Sequence, residues 1–329
     1  MCEGYAIKSV SHSIPTPKAV TQFVSEHWDT GPLLSCSLLR SYANDVFRIE
    51  SERGSLVLKI YRRDWRNTTD AQWEAELCQH LTQHHVRVAL PLIGHDDRAV
   101  QHFPLPEGDR AALLLPWLPG DKPKAPAEPE LYVAFGRAAA RLHLATQDFR
   151  PSVPERKLDG DYLIRQPLAR LQASSLKQSD ECARLQHIAS EAADQIDFTM
   201  QALPSGVCHG DLTLDNVHLL PDGQMAFSDF DLAGRGPFAF DFGAYHGWVQ
   251  QDNAAAPKWA AFQSGYGEIR PILPEELEAA AWFNLAYQVW DLEHTINNWV
   301  KWSGTWRATP SIIQTMLTSI GNSANAIAR

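Results

Sequence analysis

The sequence predicts an α+β fold in two lobes, a small β-rich lobe followed by a larger and mainly helical one. Segments of strand character dominate the first third of the 329 residues, and long segments of helical periodicity dominate the rest. A stretch rich in proline separates them, with Pro116, Pro119, Gly120, Pro123, Pro126 and Pro129 close together. Proline at this density interrupts helix and sheet alike. We therefore expect residues 1–118 to form the first lobe and residues 119–329 the second.

The first lobe begins with a predicted short helix at residues 17–28, which places Val20, Phe23, Val24 and Trp28 on one side. A second helix is predicted at residues 69–84, with an apolar stripe that includes Trp73 and Leu77. Gly54 can supply the positive φ of a hairpin turn between two of the strands. The five predicted strands are residues 33–39, 45–50, 55–61, 99–103 and 111–117.

The second lobe is predicted to be mainly helical. We place its helices at residues 130–146, 181–203 and 274–300, and its short strands at residues 206–208, 217–219 and 225–228. Nucleotide sites often lie in a cleft between two domains, so the two-lobe pattern by itself favours a site of this kind.

Composition and charge narrow the function further. The formal net charge is −10, and a surface this acidic disfavours nucleic acid and anionic membranes as partners. Neither a signal peptide nor an apolar run of about 18 residues is visible, so we expect a cytoplasmic protein without a membrane span. None of the five cysteines has C-x-x-C spacing, which indicates reduced thiols and not a zinc or redox site.

The strongest motif is the segment from Cys208 to Val217, which contains His-Gly-Asp with an asparagine five residues after the aspartate. It lies between two short apolar runs, so it is predicted to be a loop anchored at both ends. A carboxylate there can accept the proton of a hydroxyl that attacks a γ-phosphate, and an amide oxygen nearby can bind magnesium. Asp211 is therefore the candidate catalytic base, and Asn216 a candidate metal ligand.

A second carboxylate follows the next short strand. Asp229 ends the apolar run Ala226-Phe227-Ser228, and a carboxylate oxygen is a ligand that magnesium prefers. We interpret Asp229 as a second metal ligand. Asp231, two residues later, is interpreted as a loop residue and not as a third ligand.

The first lobe contributes candidates for phosphate binding. Lys59 lies on an apolar strand, where a lysine is costly to bury unless it is paired, and Glu74 or Glu76 on the following helix can provide the partner. The turn from Ser41 to Asn44 lies between two strands and could cover phosphates with its backbone N–H groups.

These residues resemble those of the aminoglycoside phosphotransferase and choline kinase superfamily, whose relatives include homoserine kinases and a bacterial stress-response Ser/Thr kinase. The likeness extends from about Ser41 to Trp248. It implies a protein-kinase-like bilobal fold that uses ATP and Mg²⁺. It also implies Lys59 and Glu74 as the phosphate-binding pair, Asp211 as the base, and Asn216 and Asp229 as magnesium ligands.

The resemblance assigns further positions. His209 and Asp241 match residues that brace the catalytic loop, and His143 matches a structural histidine. The segment 113–118 resembles the hinge that hydrogen-bonds adenine, which makes Leu115 and Trp117 candidates for nucleotide binding.

The sequence departs from the family pattern at three places. Thr213, Leu214 and Asp215 fill the middle of the His-Gly-Asp motif, the second metal motif reads Asp-Phe-Asp, and the phosphate turn has no glycine. Ser41 and Asn44 must therefore act differently from a glycine-rich loop. None of the departures removes a ligand, but they leave the substrate class open.

The aromatic-rich helix at residues 274–300 has two interpretations. It can be an ordinary packed helix. Alternatively, its aromatic rings and the carboxylates of Asp291 and Glu293 can form a wall that holds a cationic acceptor.

Together these features predict an ATP- and Mg²⁺-dependent phosphotransferase that phosphorylates a hydroxyl of a small molecule such as an antibiotic or an amino alcohol. Two alternatives remain: a Ser/Thr protein kinase of the stress-response type, and a nucleotide-binding module without catalysis. The identity of the acceptor and the oligomeric state do not follow from the sequence.

Overall fold

The computed structural model describes residues 10–123, 128–173, 180–250 and 254–328. The chain divides into two compact units. The first consists of Met1–Thr82, Val88–Leu118 and Pro151–Pro154, and the second of Gln83–Arg87, Pro119–Arg150 and Glu155–Arg329. The main division thus follows Leu118, within the proline-rich stretch.

The first unit is built on a five-stranded antiparallel sheet with the strand order β1-β2-β3-β6-β5. Hydrogen-bonded register places Lys59 of β3 between Val46 on one neighbour and Leu113 on the other. The elements in chain order are α1 (Pro17–His27), β1 (Leu33–Ser41), β2 (Asn44–Ser51), β3 (Gly54–Tyr61), α2 (Thr68–Gln83), β4 (Arg87–Val88), β5 (Val100–Phe103) and β6 (Arg110–Pro116).

Helix α1 covers one face of this sheet. Thr16 caps its first turn by accepting a hydrogen bond from the Ala19 N–H, and Pro17 occupies the first helical position, where it needs no N–H partner. The four apolar residues predicted on one side of this helix all enter one core, and they pack there with Phe47, Ile49, Leu58 and Ile60. That prediction is confirmed.

The opposite face of the sheet packs against α2. Side chains alternate along a strand, so Leu58 and Ile60 point to the α1 side while Lys59 and Tyr61 point to the other. Tyr61 shares a core cluster with Ala71 and Ala75 of α2. The position of Lys59 one residue from Leu58 and Ile60 therefore directs its ammonium group toward α2.

The second unit is mainly helical and contains two short antiparallel strand pairs, β7 with β10 and β8 with β9. The bounds are α3 (Pro129–Thr146), α4 (Gln166–Gln172), α5 (Asp180–Thr199), β7 (Ser205–Cys208), β8 (Val217–Leu219), β9 (Met225–Phe227), β10 (Gly234–Pro237), α6 (Ala239–Val249), α7 (Ala255–Gly267), α8 (Pro274–His294), α9 (Val300–Ser303) and α10 (Pro310–Ile327).

Helix α8 runs through the core of this unit. Its buried residues Phe283, Leu285, Val289 and Leu292 belong to one cluster that also takes side chains from α5, α6 and α10. The predicted helix at residues 274–300 is interrupted in the structure, since a π-turn at Thr295–Trp299 separates α8 from α9. Within the described ranges, no helix is both long enough and apolar enough to cross a membrane.

Candidate active site

The loop between β7 and β8 contains the His-Gly-Asp motif, and Asp241 of α6 holds it in place. The Asp241 carboxylate accepts hydrogen bonds from the backbone N–H of His209 (2.7 Å) and of Gly210 (2.9 Å). Gly210 has a φ of +87°, and a Cβ at this position would come within 2.2 Å of the Leu232 carbonyl oxygen. The loop therefore requires glycine at residue 210 and an acceptor at residue 241, which confirms the bracing role predicted for Asp241.

Asp241 is itself fixed by a buried hydrogen-bond chain. His143 Nε2 lies 2.9 Å from the Asp241 carboxylate, and its Nδ1 lies 2.8 Å from the Tyr266 hydroxyl. Burial raises the pKa of Tyr266, so its O–H remains a donor to His143 Nδ1 while Nε2–H donates to Asp241. Arg270 donates to the Tyr266 oxygen and to Glu276. His143 thus has the structural role predicted for it.

Asp211 follows in the same loop and contacts Asn216. The Asn216 side-chain Nδ2 donates to the Asp211 carboxylate (2.7 Å) and to its backbone carbonyl (2.9 Å). Because the Asn216 Nδ2 faces Asp211, the amide oxygen of Asn216 points away from Asp211. Burial raises the pKa of Asp211, and the charge of Asp229 adds to this effect.

His209 supports Asp211 from within the loop. Burial lowers its pKa, so the ring is neutral at physiological pH. Its Nε2–H donates to the Ser228 carbonyl (3.1 Å), and its Nδ1 accepts the backbone N–H of Asp211 (3.4 Å). One ring therefore joins the loop that precedes β8 to the segment that follows β9.

Asp229 is connected to Asn216 through its neighbour Ser228. The Asn216 carbonyl accepts hydrogen bonds from the Ser228 N–H (2.9 Å) and hydroxyl (3.3 Å). Asp229 has a φ of +68°, a left-handed conformation that is uncommon for a non-glycine residue and occurs preferentially at functional sites. Asp231 is buried, and its backbone carbonyl accepts a hydrogen bond from Arg156.

Lys59 and Glu74 form a buried ion pair inside the first unit. The Lys59 ammonium lies 3.0 and 3.2 Å from the two Glu74 oxygens, and the Tyr61 hydroxyl donates to the same carboxylate (2.7 Å). Glu76 instead accepts hydrogen bonds from Ser152 and Gln72. Of the two partners that the sequence left open, Glu74 makes the contact.

Asp45 stabilises the turn from Ser41 to Asn44 by accepting a hydrogen bond from within it. The Ser41 hydroxyl donates to Asp45 (2.5 Å), and the Tyr42 N–H donates to the Asn44 carbonyl (3.1 Å). Asp45 also pairs with the fully buried guanidinium of Arg110 (2.8 Å). The Ser41 side chain thus serves the turn itself, and sequence reasoning missed the Asp45–Arg110 pair that supports it.

The segment predicted to resemble a hinge consists of the end of β6 and the residues after it. Leu115 pairs with Val57 of β3, and the Trp117 N–H donates to the Ser55 carbonyl (2.9 Å). The Arg48 guanidinium lies over the Trp117 ring at 4.2 Å. Leu115 lies near the carboxyl end of β6, beyond the residues that pair with β5, and Trp117 directly follows the strand.

A cavity of about 730 Å³ opens beside Asp211 in the second unit. Its walls come from the loop, from α6, from α8 and from α10. Its charged or aromatic lining residues are Asp211, Asp291, His246, Trp248 and Tyr287, and its other lining residues include Thr213, Asn284, Gln288, Thr315, Met316, Ser319 and Ser323.

Two residues of α8 face Asp211 across this cavity. Burial, together with the charge of Asp211, raises the pKa of Asp291 to about 6. Burial and the same two carboxylates raise the pKa of Tyr287. Because the charge of Asp211 shifts the pKa of both Asp291 and Tyr287, the three side chains lie close enough to interact electrostatically.

The structure separates the two carboxylates that the sequence grouped into one wall. Glu293 is buried and forms a two-pronged ion pair with Arg170 (2.8 and 3.1 Å), and it does not line the cavity. Two residues apart on a helix, Asp291 and Glu293 point in different directions. Sequence reasoning missed the cavity residues of α6 and α10; polar Thr315, Ser319 and Ser323 at helical spacing could have indicated the α10 contribution.

Comparison with known proteins gives consistent matches. The family model for the phosphotransferase enzyme family matches residues 35–272. A protein of Deinococcus radiodurans is 34% identical over 287 residues, which cover 85% of this chain and 82% of that protein. A homoserine kinase of Rhizobium etli is 30% identical over 270 residues, 78% of each chain.

Two solved structures share the fold. The amicoumacin kinase hAmiN, in complex with AMP-PNP, Ca²⁺ and Ami, has a TM-score of 0.73 at 19% identity and covers 93% of this chain and 92% of its own. A microcompartment-associated aminopropanol kinase has a TM-score of 0.71 at 20% identity and covers 95% and 97%. The predicted kinase-like α+β fold is confirmed.

Proposed function

This chain belongs to the phosphotransferase enzyme family and is a phosphotransferase that acts on hydroxyl groups, and we propose that it transfers the γ-phosphoryl group of ATP to a hydroxyl of a small molecule. The observation that carries the proposal is the position of Asp211, a loop carboxylate that lines a cavity of about 730 Å³. An acceptor in this cavity can present a hydroxyl to the carboxylate.

Asp211 is the proposed catalytic base. Asn216 donates to one of its oxygens, which orients the carboxylate. Proton acceptance by a positioned carboxylate, together with orientation of the attacking oxygen, is the contribution that phosphoryl transfer asks of a protein side chain. The braced loop supports this role because it fixes the carboxylate before the acceptor binds.

Asn216 and Asp229 are the proposed ligands of Mg²⁺. The donor set fits the ion, since it offers a carboxylate and an amide oxygen that points away from Asp211. When bound, the ion would supply positive charge to the phosphate oxygens during transfer. The presence of AMP-PNP and Ca²⁺ in the structure of amicoumacin kinase supports a nucleotide with a divalent ion here.

Lys59 and Glu74 are the proposed phosphate-binding pair of the first unit. The carboxylate holds the ammonium in one orientation, and an ammonium is a compact point charge for phosphate oxygens. Ser41, Asn44, Leu115 and Trp117 remain predicted nucleotide contacts. A cytoplasmic location also remains a prediction, and ATP is the expected phosphate donor.

The test is an ATP-consumption screen against hydroxylated metabolites and antibiotics, with ³¹P NMR to identify the phosphorylated product. With the best acceptor, we expect Asp211→Ala to lower kcat roughly 100- to 10,000-fold, the range for loss of a general base. Asp222→Asn is the matched control, since this exposed carboxylate is eleven residues away and should leave kcat unchanged. Full activity of the Asp211 variant would contradict the assignment.

The same screen addresses the protein-kinase alternative. Incorporation of labelled phosphate into the protein itself or into a test protein, without turnover of any small alcohol, would favour that alternative.

A further inference from the structure

The second unit contains another cavity, of about 810 Å³, and none of its described lining residues also lines the cavity beside Asp211. Its walls come from the segment that follows α2, from α3, and from β9 with the turn before it. All of its lining residues belong to the second unit. A volume of this size is typical of a pocket for a small organic molecule. We call it the arginine cavity, after its lining residues Arg87, Arg137 and Arg141.

One face of α3 brings two of these arginines into the same wall. The lining residues of this helix recur at helical spacing from Ala134 to Ala145, and they include Arg137 and Arg141. The two arginines are four residues apart, so they are neighbours on the helix surface, where like charges repel each other. An anion that binds to both guanidinium groups would remove this repulsion.

Both arginines of α3 keep N–H donors for a ligand. Arg137 uses Nε and Nη2 for a two-pronged ion pair with Glu268 (2.6 and 2.9 Å), which leaves its Nη1 group. Arg141 is exposed, and in the described ranges neither a hydrogen bond nor an ion pair occupies its guanidinium. Arg141 is therefore the strongest donor that the wall offers to an anion.

The charge of the lining is positive. Among the described residues that line the arginine cavity, none is an aspartate or a glutamate. Arg87 donates from Nε to Gln224 (3.2 Å), and the carboxylate of Asp222, 3.8 Å from its Nη2, lies outside the lining. The whole chain has a formal net charge of −10, so a wall with three arginines and no carboxylate is a local exception that attracts anions.

The rest of the lining is largely apolar. Met225 and Phe227 are two residues apart on β9, so their side chains point to the same face of the strand, and both are buried. Val86, also buried, lines the cavity beside Arg87. Guanidinium groups next to an apolar surface match a molecule that combines an anionic group with an apolar body.

We propose that the arginine cavity binds a phosphorylated small molecule with an apolar or aromatic body, at a site separate from the proposed active site. A guanidinium group donates two parallel N–H bonds to phosphate oxygens, and a phosphate dianion can accept such bonds from several arginines at once. A carboxylate has one oxygen fewer and a single charge. The lining therefore favours the phosphate over a carboxylate of the same shape.

Isothermal titration calorimetry with phenyl phosphate tests the proposal on the intact chain. The buffer contains EDTA and no phosphate, so that no Mg²⁺ can bridge the ligand to Asn216 and Asp229. We expect saturable binding to the wild type. Binding of inorganic phosphate, which lacks the ring, should be at least about tenfold weaker, because burial of the ring contributes to affinity. An absence of phenyl phosphate binding would overturn the proposal.

Benzoate tests the preference for phosphate, because it keeps the ring and carries a single negative charge. Its binding should also be at least about tenfold weaker than that of phenyl phosphate, since it loses charge-assisted hydrogen bonds. If benzoate or inorganic phosphate binds as tightly as phenyl phosphate, the proposed class of ligand is wrong.

Two arginine variants locate the ligand. Arg141→Gln and Arg87→Gln should each weaken phenyl phosphate binding by about 10- to 100-fold, the usual effect of losing a hydrogen bond to a charged group. Arg184→Gln is the matched control, since Arg184 is an exposed arginine of α5 outside the lining. Arg87 and Arg141 are exposed as well, so the variants should fold, and circular dichroism checks this.

The variants also separate this site from the proposed active site. A ligand bound at the proposed active site would keep its affinity when Arg87 or Arg141 is replaced, so unchanged binding in either variant would overturn the proposal. The titration uses neither ATP nor an acceptor. Its result therefore stands whether or not the acceptor screen finds a substrate.

Discussion

The protonation state of Asp291 sets the charge that the cavity presents near neutral pH. The groups that face it are Asp211 from the loop, Tyr287 from its own helix and His246 from α6, while the described lining residues of α10 do not titrate. Burial raises the pKa of Tyr287 and lowers that of His246, so neither side chain carries a charge at pH 7. Asp291, with a pKa of about 6, changes charge near that pH.

We therefore predict a pH-dependent KM for an amine acceptor. Below pH 6 the Asp291 carboxyl is protonated and does not attract the ammonium group, so KM should fall about tenfold as the pH rises from 5 to 7. Steady-state kinetics with 3-aminopropan-1-ol at saturating ATP checks this, with 1,3-propanediol, which lacks the ammonium group, as the control acceptor. The Asp291→Asn variant should show a flat KM over the same range; a slope equal to that of the wild type would exclude Asp291 as the titrating group.

At the residue scale, the sequence is most informative for residues in local motifs. Asp211, Asn216 and Asp229 lie within 19 positions of one another, so their spacing is visible in the sequence. The choice of Glu74 over Glu76 needed the structure, because a helix can rotate either carboxylate toward a neighbouring strand. Trp248 could not be predicted as a cavity residue, since only tertiary packing brings the end of α6 to the loop.

Among the elements, the loop between β7 and β8 is the one whose geometry depends most on a single glycine. Gly210 combines a φ of +87° with a carbonyl oxygen 2.2 Å from where a Cβ would lie, so an alanine must displace the backbone. Gly223 offers a comparison, since its φ is +79° but nothing lies within 4 Å of its Cβ position.

We predict that Gly210→Ala and Gly223→Ala differ in activity, although both variants place an alanine in the left-handed backbone region. Gly223→Ala should lower the free energy of unfolding by about 1 kcal/mol and leave kcat unchanged. Gly210→Ala should lower it by more than about 2 kcal/mol and reduce kcat roughly 100-fold, because the loop that holds Asp211 must move. Urea unfolding and steady-state kinetics measure both effects; equal behaviour of the two variants would contradict the close approach.

The elements with a strong period were predictable, and those buried on all sides were not. The hairpin of β2 and β3 follows from alternating apolar residues around Gly54, and α1 from its apolar stripe. Eight of the eleven residues of α6 are buried and none is exposed, so it has no polar face to reveal a helix. Helix α10 was missed although Ile313, Leu317, Ile320 and Ala324 recur at helical spacing and pack on the core.

For the molecule as a whole, the cavity lowers stability in the absence of an acceptor. The folded-state pKa of Asp291, about 6, exceeds its ordinary value of 3.8, so the folded protein holds a proton that the unfolded chain releases between these values. The contribution of Asp291 to the free energy of unfolding therefore falls as the pH rises through this range and stays lower above it.

We predict that Asp291→Asn is more stable than the wild type at neutral pH. At pH 7.5 its Tm should be about 2–5 °C higher, and the difference should vanish below about pH 4, where both side chains are neutral. Thermal unfolding followed by circular dichroism measures this difference. A variant that melts below the wild type at pH 7.5 would show that the Asp291 carboxylate stabilises the empty protein.

At the scale of the whole chain, composition and the two-lobe pattern were enough to predict the fold class, and the spacing of a few polar residues was enough to predict the family. Which carboxylate of α8 lines the cavity was not predictable in the same way. It depends on which of two nearby carboxylates on α8, Asp291 or Glu293, an arginine from another helix neutralises.

Different segments of the chain provide the proposed catalytic groups and the remaining wall of the cavity, so the two can be substituted independently. The groups proposed for chemistry lie on the loop braced by α6, whereas α10 contributes only short polar side chains and one methionine, among them Thr315, Ser319 and Ser323. Substitutions in α10 can change the shape of the cavity without altering the hydrogen bonds that Asp241 makes to the loop. Variant libraries aimed at bulkier alcohol acceptors should therefore first vary the cavity-lining residues of α10.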